Sequence, residues 1–281
     1  MAPTHRPTPE SGTGDTVVVI TGAAGNLGRK LCSYLRERGG YDLRLIDVDP
    51  RGDAEVVQAD LSRYDESWTR MLDGADIVVH MAGQGLVTSR WDALVGPNVD
   101  ALLNVFLAAA RHRVSKIVLA SSMWAVAVRW RDRPPIAAQE PDPGSNAYGA
   151  TKLFAERVAR AFAATHGIDT IALRVGACHA GPNPADRTTP PESDLWLSNR
   201  DMCRGFEAAM QSKVHGFAVL NLTSANAGQH WSLAEARDLI GYVPVDHYMR
   251  GRTAAALSPR IWFRGSRLRL RAAWRAWHQP Y

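Results

Sequence analysis

Tyr148 and Lys152 stand four residues apart in Tyr148-Gly149-Ala150-Thr151-Lys152. On a helix that spacing stacks the two side chains one turn apart on a single face. The lysine ammonium favours the phenolate form of the tyrosine beside it. Such a phenol can take the proton of a substrate hydroxyl and give it back in the reverse direction. Upstream, the apolar run Ile117-Val118-Leu119-Ala120 closes on Ser121-Ser122, which sets hydroxyls at the end of a strand. A general base, an activating cation and a hydroxyl suit alcohol oxidation or carbonyl reduction, provided that a hydride carrier lies alongside.

A site for such a carrier is written near the start of the chain. Thr21-Gly22-Ala23-Ala24-Gly25-Asn26-Leu27-Gly28 follows the apolar run Val17-Val18-Val19-Ile20 and leads into the amphipathic stretch Arg29-Lys30-Leu31-Cys32-Ser33-Tyr34-Leu35. A glycine turn between a buried strand and a helix start brings backbone N–H groups close to a pyrophosphate, and the positive end of the helix dipole adds attraction. Glycine clusters alone mark many turns; here the flanking strand and helix supply the context. Leu43-Arg44-Leu45-Ile46 then ends at Asp47, about twenty residues past the last glycine, where a carboxylate binds ribose hydroxyls. An anion there repels a 2′-phosphate, so NAD is expected over NADP, with Arg29 and Arg51 the nearby cations in sequence. Asp60-Leu61 follows Val56-Val57, and Asp60 either faces the adenine or caps a solvated loop.

The elements that must position these residues alternate along the chain. Strand patterns fall at 16–20, 42–47, 54–57, 77–80, 116–120 and 170–174, and helical patterns at 25–38, 67–72, 98–111 and 148–166. Such alternation predicts an α/β Rossmann fold, a doubly wound parallel sheet with right-handed crossovers. The nearly unbroken apolar runs at 77–79 and 117–119 suit strands covered on both faces. After Arg174 the rhythm breaks: 182–192 is polar and Pro-rich, 196–210 is helical and 216–222 strand-like. The organisation expected is a flexible leader at 1–15, a dinucleotide-binding domain at 16–175, a small C-terminal substrate-binding lobe at 176–249 interleaved with the sheet, and a basic tail at 250–281.

Composition narrows the class further. At 281 residues the chain can bury a substantial core. No run of eighteen apolar residues occurs, which predicts no membrane span, and the first fifteen residues lack the apolar core of a secretory signal. Cys32, Cys178 and Cys203 are widely spaced and odd in number, as in a reduced cytoplasmic protein. His179 and His215 have no partner at ligand spacing, so no metal is expected. The net charge of +5 is carried mainly by arginine, lysine accounting for four of the basic residues. Arg260, Arg264, Arg267, Arg269, Arg271 and Arg275 lie in the tail beside Trp262, Trp274 and Trp277. That mixture suits an anionic surface or a docked terminal helix; no nucleic-acid motif accompanies it, and nucleic acid is not expected as a partner.

Taken together, TGAAGNLG, His80-Met81-Ala82-Gly83, Asn98, Ala120-Ser121-Ser122, YGATK and Leu239-Ile240-Gly241-Tyr242-Val243-Pro244 resemble the extended short-chain dehydrogenases/reductases. The resemblance implies Tyr148 as acid/base, Lys152 as its activator and ribose ligand, Ser122 as the hydroxyl that holds the substrate oxygen, and Asn98 as support for a proton-relay water. It also implies cofactor contacts from Gly22, Gly25, Asn26, Leu27, Gly28, Asp47, Asp60, Leu61, Met81, Ala82 and Gly83, and a homodimer through the helices at 98–111 and 148–166. Within that superfamily the chain most resembles the uronate dehydrogenases, in TGAAGNLGR, ASS, YGATK, Leu173-Arg174-Val175-Gly176, Trp196-Leu197-Ser198 and Thr223-Ser224-Ala225-Asn226. These enzymes oxidise the anomeric carbon of free hexuronic acids with NAD. The chain departs from them at Met123 and Trp124, where an Asn follows their catalytic serine, and at Ala177 and Gly85, where they carry pocket serines. Arg187 matches their carboxylate-clamping arginine. Fewer hydroxyls and added apolar groups imply a more apolar or differently shaped carbohydrate-like ligand. Two other outcomes remain open: a nucleotide-sugar epimerase or dehydratase that returns the hydride, and a cofactor-binding regulator without turnover.

Overall fold

A computed structural model describes residues 14–126, 135–138, 146–181, 195–226 and 230–247. The leader up to residue 13, Arg187 and the basic tail lie outside the described residues. Seven strands form one parallel sheet: β1 Thr16–Thr21, β2 Tyr41–Asp47, β3 Val56–Gln58, β4 Ile77–His80, β5 Lys116–Ser122, β6 Asp169–Val175 and β7 Phe217–Leu222. Their order is β3-β2-β1-β4-β5-β6-β7, so the winding reverses between β1 and β4. In open α/β sheets ligands bind where that reversal leaves a crevice outside the carboxyl ends of the strands.

Strand alternation feeds two cores. Val18, Ile20, Val79, Val118, Ile171, Leu173 and Leu220 face one side, where α1 (Asn26–Arg38), α6 (Asn199–Gln211) and α7 (Ala234–Ile240) supply Leu31, Leu35, Met202, Phe206 and Ile240. Val19, Val78, Ile117, Leu119, Ala172 and Val219 face the other, against Trp68 of α2 (Glu66–Thr69) and residues of α4 (Ala101–Arg111) and α5 (Ala147–His166). This two-sided burial is what the unbroken apolar runs require.

The segment after β6 does not stand apart from the sheet. Its helix α6 packs in the layer of α1, and β7 pairs along its length with β6. Gly205 lets α6 press onto Leu222, since a Cβ there would collide with the leucine side chain. Among the described residues, the connections at the carboxyl ends of the strands are left to cover the crevice. The bridge Ile136↔Trp231 ties the connection after β5 to the one after β7, and Ala177↔Trp196 closes the connection between β6 and α6 on itself.

One helix runs through three geometries. Residues Trp91–Leu94 form α3, Val95–Asp100 form a π-helical turn, and α4 continues from Ala101. Pro97 lies inside the wide turn, where its missing N–H breaks the α-helical ladder. Over eighteen residues the combined helix Trp91–Arg111 has mean hydropathy 1.5, enough by length and composition to cross a membrane, although the apolar runs in the sequence predict no such helix. In this fold Leu102, Val105, Phe106, Ala108 and Ala109 of that helix are buried against the sheet.

Candidate active site

A cleft of about 890 Å³ opens at the switch point, with the glycine turn at one end and the start of α5 at the other. Gly22 has φ +72°, and a Cβ there would stand 2.6 Å from the Ala82 backbone nitrogen. The loop after β4 therefore closes directly on the loop after β1. A Cβ on Gly28 would collide with the Gly22 carbonyl oxygen, so that glycine lets α1 pack on the turn. Gly25 is different: its Cβ would meet only the Gly22 carbonyl, leaving its outer side open. Gly25 is the N-cap of α1 without a side-chain hydrogen bond, and the first turn holds no acidic residue. The helix thus presents uncapped N–H groups to whatever enters the cleft.

Asp47 ends β2 beside that turn. Its carboxylate accepts from Ala24 N at 2.9 Å and from Asp49 N at 3.2 Å, which fixes the side chain beside the glycine turn. Asp60 accepts from the Ser62 hydroxyl at 2.7 Å and Ser62 N at 3.0 Å. The hydroxyl bond, together with the backbone one, holds its carboxyl below the usual range. Asp60 thus caps its own loop and also lines the cleft. An open, uncapped helix start, a glycine turn without side chains and a fixed carboxylate fit a dinucleotide. Replacing Gly22 by Ala meets both a strained φ and a backbone atom. We expect a loss of about 2 kcal/mol or more in urea unfolding, with weaker NAD binding in a fluorescence titration. Unchanged stability would mean that the two loops separate freely.

At the other end, α5 begins at an Asn146 cap whose side chain accepts from Gly149 N at 2.6 Å. Tyr148 is buried beside Leu94 and Ala147, with half-buried Val87 and Trp124 packed against the same group. Lys152 Nζ lies 5.6 Å from the Tyr148 ring centroid and donates to Ala120 O at 2.9 Å, which anchors the ammonium to the end of β5. Ser122 Oγ accepts from Trp124 N at 3.2 Å, an arrangement that leaves its hydroxyl proton available to a substrate oxygen. Ser121 is placed differently: its hydroxyl donates to Glu156 Oε1 at 2.6 Å and is buried. The geometry therefore separates the two serines: Ser121 is held by Glu156, whereas Ser122 keeps its hydroxyl proton available.

Asn98 sits in the π-turn, behind the cleft. Its Nδ2 donates to Gln84 O and to Thr151 Oγ1, both at 3.1 Å, and its Oδ1 accepts from Gln84 N at 2.7 Å. Thr151 in turn donates to the Tyr148 carbonyl at 2.7 Å. Asn98 thus ties the loop after Gly83 to the helix that carries the tyrosine. His80 is 3 % exposed, with Nδ1 2.7 Å from Thr21 Oγ1. Burial, reinforced by the charge of Lys152, pushes its pKa down to about 3. The ring is therefore neutral and meets Thr21 Oγ1, which also accepts from Ala82 N at 3.4 Å.

Of the residues singled out from the sequence, Gly22, Gly25, Asn26, Leu27, Gly28, Asp47, Asp60, Leu61, Met81, Ala82, Gly83, Gly85, Ser122, Trp124, Tyr148, Lys152 and Ala177 line the cleft. Met123 does not. The 3-10 turn Met123–Ala125 follows β5 at once and turns Met123 into a buried cluster with Val126, Ile136, Leu195 and Trp231. Trp124 stands on the wall instead. Sequence reasoning missed Gln84, Val87 and Cys178 as lining residues, and Thr151 and Glu156 behind them. Glu156 was signalled, since it continues the i, i+4 series of Tyr148 and Lys152. The other four carry no signature of their own. Among the described residues no cluster of three or more His, Cys, Asp or Glu could hold a metal ion.

Comparison with known proteins agrees with this geometry. The profile of the NAD dependent epimerase/dehydratase family matches residues 18–194. The NAD-dependent glucose-6-phosphate dehydrogenase of Haloferax volcanii is 30% identical over 256 residues, 83% of this chain and 94% of that protein. The uronate dehydrogenase of Pseudomonas putida is 29% identical over 249 residues, 86% and 88% of the two chains. A crystal structure of a uronate dehydrogenase variant from Agrobacterium tumefaciens, complexed with NAD, superposes with TM-score 0.71 at 27% identity, covering 83% of this chain and 86% of that one. The glycine turn, the Tyr148–Lys152 face and the family match together place this chain in the NAD dependent epimerase/dehydratase family.

Proposed function

We propose that the protein oxidises a hydroxyl or hemiacetal carbon of a sugar or sugar-acid-like substrate with NAD. The observation that carries this reading is the convergence of Tyr148, Lys152 and Ser122 at one end of a cleft whose other end carries the glycine turn and Asp47. Bound NAD supplies the hydride acceptor. Ser122 donates to the substrate oxygen and fixes it near the phenol. Tyr148 removes the hydroxyl proton as the carbon is oxidised. Lys152 sets its amine end beside the phenol and is held there by Ala120 O. The Leu94–Ala147–Trp124 surroundings exclude water from one side of the reacting carbon.

The substrate class rests on relatives that act on glucose 6-phosphate and on uronates. Cofactor choice rests on Asp47. Replacing Asp47 by Ser removes the anion that repels a 2′-phosphate, and Arg51 also lines the cleft. We expect the ratio of kcat/KM values for NAD and NADP to fall by about tenfold, roughly 1.4 kcal/mol; an unchanged ratio would assign the preference elsewhere.

A homodimer is part of the same proposal. Leu107 of α4 and Phe154 of α5 are exposed apolar residues on the two helices that the family resemblance pairs. The cellular setting that fits three free cysteines is a reducing cytoplasm.

The direct test is an assay of the purified protein with NAD against free aldoses, uronic acids, sugar phosphates and nucleotide sugars. NADH formed in step with an oxidised product is the expected result. An isomerised or dehydrated product without lasting NADH would replace this reading by an epimerase or dehydratase.

A further inference from the structure

Glu156 and Arg174 form a buried ion pair directly behind the candidate catalytic groups. Arg174 Nε donates to Glu156 Oε1 and Nη2 to Oε2, each at 2.8 Å, and the two side chains are 4% and 8% exposed. The third arm, Nη1, donates to Ala138 O at 2.8 Å. Glu156 Oε1 also accepts the Ser121 hydroxyl at 2.6 Å. A two-pronged contact of this kind fixes orientation as well as distance.

The placement matters more than the pair itself. Tyr148, Lys152 and Glu156 lie at i, i+4 and i+8 on one face of α5. Lys152 docks on Ala120 O and Glu156 on Ser121 Oγ, so consecutive turns of the helix grip consecutive residues of β5. The next residue along β5 is Ser122. Arg174 lies on β6, opposite Ser121 in the parallel register, and balances the carboxylate that makes the second grip. Through Ala138 it also holds the segment whose neighbour Ile136 pairs with Trp231.

We propose that Glu156 and Arg174 are positioning residues: they set the register of α5 on β5 and so hold the Tyr148 phenol in line with the Ser122 hydroxyl. A buried pair often contributes little net stability, because desolvation offsets its attraction. Its value here lies in geometry. Where catalysis depends on alignment, a displacement of about 1 Å costs about a hundredfold in rate.

This proposal rests on the dehydrogenase reading for its rate measurement, and hydrogen exchange supplies a readout that needs no turnover. The variants are Glu156→Gln, the charge-balanced double variant Glu156→Gln/Arg174→Met, and Ser121→Ala, which removes a single hydroxyl. Each is compared with the native protein in thermal unfolding, NAD affinity, single-turnover NADH formation and backbone exchange at 119–124 and 147–153. We expect the double variant to regain the native melting temperature yet keep a hydride-transfer rate at least tenfold low, with NAD affinity within twofold and faster exchange in both segments. Ser121→Ala should show the same pattern at smaller size. Recovery of rate together with melting temperature would overturn the proposal, as would native rate and exchange in Ser121→Ala. A native protein that forms no NADH from any sugar refutes the dehydrogenase reading alone; the proposal then stands or falls on the exchange data.

Discussion

Tyr148→Phe should lower kcat by about a thousandfold or more, roughly 4 kcal/mol in the barrier, while NAD binds with its native affinity. The substitution deletes one oxygen and keeps the ring, so the packing with Leu94, Ala147 and Trp124 survives. What disappears is the only proposed acceptor for the substrate proton. Neighbouring groups do not take its place: the His80 ring is buried against Thr21, and the Ser121 hydroxyl is spent on Glu156. Lys152→Met makes an informative companion. It removes the ammonium and leaves Ala120 O without that donor, so both kcat and NAD affinity should fall. The contrast separates a proton acceptor, which acts on the chemical step, from a residue that also shapes the cofactor site. Steady-state kinetics with parallel NAD titrations measure both. Retention of more than a tenth of kcat in Tyr148→Phe would remove the phenol from the proposed chemistry. Because an epimerase would need the same proton transfer, the variant tests the base under either reading.

Much of this site was legible because its signals are local. A glycine turn needs only the neighbouring strand and helix to be recognised, and Asp47 is fixed by the length of one βα unit. Tyr148 and Lys152 announce themselves by helix period alone. The strands at 77–80 and 116–122 were visible because burial on both faces demands unbroken apolar residues. What was not legible depends on contacts between distant segments or on a change of backbone geometry. Met123 follows Ser122 and was expected on the pocket wall; the 3-10 turn capped by Ser122 instead sends it beneath Leu195 and Trp231. The π-turn around Pro97 was read as the plain start of a helix at Asn98, and it is this turn that aims Asn98 at Gln84 and Thr151. Glu156 and Arg174 stand eighteen residues apart on different elements, and no periodicity relates them. Arg174 reads from the sequence as the end of a strand and as part of a family stretch, and neither carries a sign of the carboxylate that meets it.

The neutral state of His80 makes a strong prediction about acid stability. An unfolded histidine titrates near ~6.5, whereas burial in the folded chain, helped by the Lys152 charge, pushes this one down to about 3. The unfolded chain therefore binds a proton that the folded chain refuses. With the folded pKa depressed, stability from this group is fully present above pH ~6.5 and falls as the pH drops toward 3, by about 1.4 kcal/mol per unit at the steepest. At pH 5 the native protein should have lost about 2 kcal/mol to this group alone. In His80→Asn no proton is taken up on unfolding, so the difference between the two stability curves isolates the contribution from the carboxylates that titrate in the same range. Urea unfolding from pH 7.5 to 4.5 measures it, and the imidazole nitrogen resonances of the folded protein should stay those of a neutral ring across that range. Parallel curves for the two proteins, or a native ring that titrates near 6.5, would show that the site tolerates a second cation beside Lys152. The functional consequence follows from the same contact. A neutral ring against Thr21 lets the strand ends of β1 and β4 close on the glycine turn without opposing the ammonium that Tyr148 needs, so acid loosens the packing behind this site as the unfolded chain gains its proton.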